Sequence, residues 1–168
     1  SYDQLLIGGE WVAPSSNQRF EVRSPATLEV VGSVPEGVEA DIDAAVAAAR
    51  RAFDHGPWPT TPPSERAKVI ARFTELLEER LEDYKNVISS EMGAPLATVE
   101  MMMYTPAKGA LDVFNNLADT FPWEETRHGA FGMTKVRREP VGVVAAIIPW
   151  NVRLFIAVNK VLPALLAG

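Results

Sequence analysis

Apolar positions along this chain follow two periods. Leu5, Leu6 and Ile7, then Trp11 and Val12, flank Gly8-Gly9, which is the signal of a two-residue β-hairpin. Phe20-Glu21-Val22 and the apolar members of 30–35 predict further extended pieces, with Asn17 and Ser24-Pro25-Ala26-Thr27 as turn chemistry between strands. From residue 39 to 53 the period lengthens. Ile42, Val46, Ala49 and Phe53 recur at helical spacing, Asp41 and Asp43 sit in the first turn, Arg50 and Arg51 in the last, and Gly56 follows as a stop. A second helix is expected after Pro62-Pro63, with Ser64 as its N-cap and Ile70, Phe73, Leu77, Leu81 and Tyr84 along one face. A short helix over 86–91 ends at Gly93. The next, over 97–120, holds Met101, Met102, Met103, Leu111, Phe114 and Leu117, and Pro106 within it predicts a kink or break. Methionines at this spacing are read as core filling in preference to pocket lining.

The last third changes character. Residues 134–139, Thr-Lys-Val-Arg-Arg-Glu, form a polar strand that cannot bury both faces. Residues 141–148 show no polar alternation, the pattern of a strand covered on both faces in a parallel sheet. Residues 154–166 are apolar around the helix except at Asn159 and Lys160, which predicts an enclosed helix. Strand, turn and helix make the first two thirds of a βαβ unit. Between them lies Pro149-Trp150-Asn151. Ligands of open α/β sheets gather at the carboxyl ends of strands, so the Asn151 carboxamide is a candidate active-site donor. A plain cap on the following helix is the other role open to it.

Composition narrows the classes. With 47% apolar and 23% charged residues the chain fits an ordinary globular domain, expected to be soluble and cytoplasmic. Sixteen basic against 22 acidic residues give a net charge of −6 without any basic run, which argues against nucleic acid or an anionic membrane as partner. No secretory signal is legible in the first residues, and no apolar run approaches the roughly 20 residues of a spanning helix. There is no cysteine, and His55 and His128 are scattered, so no metal site is expected.

The stretch from Glu139-Pro140-Val141-Gly142 through Pro149-Trp150-Asn151 to Gly168 closely resembles the aldehyde dehydrogenase family, and most of the remaining chain resembles that family's N-terminal third. The resemblance implies an α/β fold: a β-hairpin and helical segment of the cofactor-binding domain over 1–132, an oligomerisation-type strand over 133–140, and over 141–168 the first strand and helix of an incomplete Rossmann-like parallel sheet. It implies NAD- or NADP-dependent oxidation of an aldehyde to a carboxylic acid through a cysteine thiohemiacetal, in a homo-oligomer. Asn151 would then be the oxyanion donor. Ile147, Ile148, Pro149 and Trp150 would line the ribose and nicotinamide side of the cofactor, and Val152, Ile156 and Asn159 the aldehyde channel, where a small Val152 and a polar Asn159 would leave a roomier, more polar tunnel.

Two features depart from the family pattern. Arg153 stands where proline is usual, and a cation at a helix's first turn opposes the dipole by about 0.3–1 kcal/mol. The cysteine nucleophile, the general base and the phosphate-binding turn are expected beyond Gly168, so the chain by itself is expected to be inactive. The alternative function class is a non-catalytic assembly or partner-binding fragment.

Overall fold

The computed structural model describes residues 2–168, so that Ser1 lies outside it. Strands β1 (Leu5–Ile7) and β2 (Glu10–Val12) form the expected hairpin, pairing Ile7 with Glu10. Gly8 and Gly9 have φ of 63° and 88°, the left-handed pair that such a turn needs. β3 (Arg19–Arg23) and β4 (Val30–Pro35) make a second antiparallel pair.

Helix α1 runs Glu39–His55. Its Asp41 is buried, and its carboxylate accepts the backbone N–H of Val38 at 3.0 Å and of Ser15 at 2.9 Å, tying the helix start to the loop behind β2. The Val38 bond first, then those from Ser15, hold this carboxyl below its ordinary 3.8. Because the folded value is depressed, the stabilisation is complete above the ordinary pKa and is lost as pH falls through the folded one. Asp41→Asn is therefore expected to lower the thermal midpoint at neutral pH, with the gap to wild type closing on acidification below about 3.8. A gap of constant size from neutral to strongly acidic pH would contradict this.

A short 3₁₀ turn, Trp58–Thr60, leads to α2 (Pro63–Glu79). The helix starts one residue before the expected Ser64 cap: Pro63 occupies the first turn, where its missing N–H costs nothing, and no side chain caps it. The expected helical face from Ile70 to Tyr84 is broken at Arg80, whose φ and ψ of −110° and 15° separate α2 from α3 (Leu81–Met92). Gly93 ends α3 with φ 67°, and a Cβ there would lie 2.9 Å from the Pro25 side chain. Both conformation and space call for glycine.

The break announced by Pro106 takes the form of a π-helical turn. α4 (Leu96–Val99) passes into this turn at Glu100–Tyr104 and then into α5 (Thr105–Thr120). The Thr105 N–H reaches back to the Glu100 carbonyl, and the wider turn lies just ahead of a proline that could not join an α-ladder. Of the three methionines only Met103 fills the core; Met101 and Met102 are 67% and 50% exposed.

The polar strand is β6 (Gly132–Arg137), and it pairs with an unexpected β5 (Glu124–Gly129). Charges cross this ladder: Glu124 lies 2.5 Å from Lys135 and 2.8 Å from Arg137. The last helix, α6 (Arg153–Ala167), packs its Val158, Leu162 and Leu166 on Ile70 and Leu77 of α2 and on Ala107, Leu111 and Ala118 of α5. A smaller cluster joins Ile88, Val99 and Met103, with Val152 and Leu154 against it.

Two burial expectations fail. Residues 141–148 form no strand ladder among the described residues, and Val141 and Ile147 are 94% and 86% exposed. A strand wrapped on both faces needs neighbouring strands, and the three sheets here are separate two-stranded pairs. Helix α6 is enclosed on one side only, leaving Val161 and Leu165 more than two fifths exposed. Among the described residues no helix is long and apolar enough to cross a membrane, and no group of three His, Cys, Asp or Glu is placed to hold a metal.

Candidate active site

The turn that carries Asn151 is built from its flanks. Val152 is the N-cap of α6 by its backbone, φ −89° and ψ 49°, and its carbonyl accepts the Ile156 N–H at 3.1 Å. Its side chain is half-buried against the cluster of Ile88, Val99 and Met103, which ties the head of α6 to α3 and α4. Asn151 does not cap the helix: no side chain does. Its carboxamide is exposed and makes no hydrogen bond among the described residues, so one N–H₂ donor group is available to a ligand at the head of an apolar helix.

Arg153 follows directly. Its Nε donates to the Trp150 carbonyl at 3.2 Å, closing the turn across Asn151, and its Nη1 is hydrogen-bonded and ion-paired with the Glu91 carboxylate in the last turn of α3. The cation that looked misplaced at a helix N-terminus thus has a partner. Sequence reasoning missed Glu91, although a signal existed: an acid in the last turn of one helix and a base in the first turn of another each oppose their own dipole.

The segment before the turn presents Ile147, Ile148, Pro149 and Trp150 as exposed residues, with Ile147 at 86% and Trp150 at 77%. Val152, Ile156 and Asn159 fall on one side of α6 at i, i+4 and i+7, all partly buried. The Asn159 amide donates to the Phe155 carbonyl at 2.8 Å. Two apolar cavities flank other sides of the same helix. One of about 340 Å³ lies between Phe53, Val143 and Val161, and one of about 390 Å³ between Val69, Phe73 and Leu165. Neither is lined by Asn151, Val152, Ile156 or Asn159.

The far end of α6 is fixed by two side chains that patterning also missed. Trp58 Nε1 donates to the Leu165 carbonyl at 3.0 Å, and the buried Arg66 donates to the carbonyls of Leu166, Ala167 and Thr61. Burial pushes the Arg66 pKa down from its ordinary value, yet guanidinium stays charged at neutral pH.

Comparison with known proteins places this architecture. Residues 11–168 match the aldehyde dehydrogenase family. Geranial dehydrogenase of Castellaniella defragrans is 37% identical over 99% of this chain and 35% of its own length. Benzaldehyde dehydrogenase of Antirrhinum majus, a mitochondrial protein, is 38% identical over 99% of this chain and 31% of its own length. Among solved structures, an aldehyde dehydrogenase of Mycobacterium tuberculosis complexed with NAD+ superposes with a TM-score of 0.96 at 54% identity, covering 99% of this chain and 35% of that one. Aldehyde dehydrogenase C of Pseudomonas syringae, in its C291A form with NAD+ and octanal, gives 0.91 at 42% identity, covering 99% and 33%. The chain thus spans about a third of the length of the relatives it matches. It belongs to the aldehyde dehydrogenase family, and its fold is the N-terminal part of the aldehyde dehydrogenase fold.

Proposed function

We propose that this chain is the N-terminal portion of an NAD- or NADP-dependent aldehyde dehydrogenase that oxidises an aldehyde to a carboxylic acid, with Asn151 as oxyanion donor. The observation that carries the reading is the exposed, unengaged Asn151 carboxamide on a turn pinned at both flanks, in a chain so close to an NAD+-bound relative. Attack on an aldehyde turns its carbonyl oxygen into an alkoxide, and a fixed N–H donor there stabilises charge that exists only after attack. The chain has no cysteine, so the attacking thiolate comes from outside these 168 residues.

When bound, the nicotinamide cofactor supplies the hydride acceptor. The residues present fit one wall of its site: Ile147, Ile148, Pro149 and Trp150 offer exposed apolar surface immediately before Asn151, suited to the flat faces of ribose and nicotinamide. Val152, Ile156 and Asn159, together on one side of α6, line the aldehyde path, where a small Val152 and a polar Asn159 leave a roomier, more polar tunnel. Residues 1–132 and 141–168 then belong to the cofactor-binding domain. Residues 133–140 serve as an oligomerisation strand, supported by the free edge of β6, in a cytoplasmic homo-oligomer.

The same reading accounts for the uncovered apolar surface of 141–148 and α6, which the rest of the enzyme would cover. The complete enzyme is expected to form reduced cofactor when given an aldehyde and NAD+ or NADP+, followed by absorbance, whereas the 168-residue chain forms none. Turnover by the 168-residue chain, or no aldehyde-dependent reduction by the complete enzyme with either cofactor, would overturn it.

A further inference from the structure

We infer that Arg153 and Glu91 form a latch that aims the Asn151 carboxamide, Arg153 acting as a positioning residue. The inference rests on the reading of Asn151 as oxyanion donor and goes beyond it by naming what holds that donor still.

Three observations meet at this turn. Asn151 has no hydrogen bond of its own among the described residues, so the turn's backbone, which fixes where its Cβ starts, is what positions it. Arg153 spans that backbone, donating to the Trp150 carbonyl at 3.2 Å, and its guanidinium is held by Glu91, 62 residues away on α3. Both side chains are partly buried, 33% and 24% exposed, so the pair is less screened than a fully exposed bridge. Each charge is unfavourably placed on its own helix, Glu91 at the C-terminal end of α3 and Arg153 at the N-terminal end of α6. Paired, they offset both dipole penalties. A proline at this first helical position would fix the turn through its own φ; arginine achieves the same by an ion pair to a neighbouring helix.

The test uses the complete enzyme. Arg153→Met and Glu91→Gln should each lower kcat roughly ten- to a hundredfold, the scale on which a misplaced catalytic group costs rate, with little change in KM. Arg153→Lys, which keeps a cation and donor for Glu91 without the guanidinium fork, should retain more kcat than Arg153→Met. Since the latch acts through Asn151, Arg153→Met should cost nothing further in an Asn151→Ala background. Should Arg153→Met fail to fold, Glu91→Gln carries the same arms. An undiminished effect in the Asn151→Ala background, or wild-type kcat in both single variants while Asn151→Ala is impaired, sinks the latch and leaves the oxyanion reading standing. Wild-type kcat in Asn151→Ala sinks the reading and the latch together.

Discussion

Asn151→Ala in the complete enzyme is expected to lower kcat by roughly 10²–10³, equivalent to about 2.7–4 kcal/mol of lost transition-state stabilisation. KM for the aldehyde should move little, because the ground-state carbonyl is a weak acceptor and the bond strengthens only as the alkoxide forms. The structure limits what else the substitution could disturb. The Asn151 side chain is exposed, caps nothing and holds no hydrogen bond among the described residues, so truncation leaves no cavity and no orphaned partner. Thermal stability should therefore match wild type. A fall in kcat accompanied by an equal loss of stability would point to a structural role instead.

Arg66→Met is the substitution expected to cost most stability, about 3 kcal/mol, on the scale of ~1.5–3 for a hydrogen bond to a charged group. Arg66 is 4% exposed and has no carboxylate partner among the described residues; its guanidinium serves carbonyls. Those of Leu166 and Ala167 belong to the last turn of α6, where the helix cannot satisfy them and its dipole favours a cation. The Thr61 carbonyl, at 2.6 Å, ties the same group to the loop before α2, and the Trp123 ring lies 5.9 Å away. Burying a guanidinium carries a desolvation cost, which its lowered pKa reflects, but removing it strands buried acceptors, and the second effect is the larger. A fall of several degrees in the thermal midpoint of the complete enzyme would bear this out; an unchanged midpoint would show that water replaces the lost donors at no cost. Arg66→Lys, which keeps charge without the fork, should fall between.

What could be read from the sequence was what local chemistry dictates. Gly8-Gly9, Gly93 and Pro106 announce a turn, a stop and a break, because glycine reaches positive φ without steric cost and proline fixes φ and lacks a donor wherever it stands. The separation of α2 from α3 at Arg80 was not legible, since no turn-forming residue marks it. Strand β5 escaped notice because Glu-Glu-Thr-Arg-His-Gly has no apolar residue; it is held by opposite charges on β6, a property of two segments together. The apolar run 141–148 has the pattern of a doubly covered strand, yet cover is supplied by neighbours and not by composition, and the described residues supply too few. At the site, Pro149-Trp150-Asn151 was visible as a motif, whereas the Arg153–Glu91 pair required knowing that two helix ends meet.

As an oxyanion donor, Asn151 contributes through its N–H and not through its shape. The most direct measurement is kcat of Asn151→Asp beside Asn151→Ala in the complete enzyme at a pH where the carboxylate is ionised. Aspartate keeps the shape of asparagine but presents acceptors and a negative charge to the forming alkoxide, so its activity should be no better than that of the alanine variant. Activity restored toward wild type by aspartate would mean that shape, not donation, is what this position contributes.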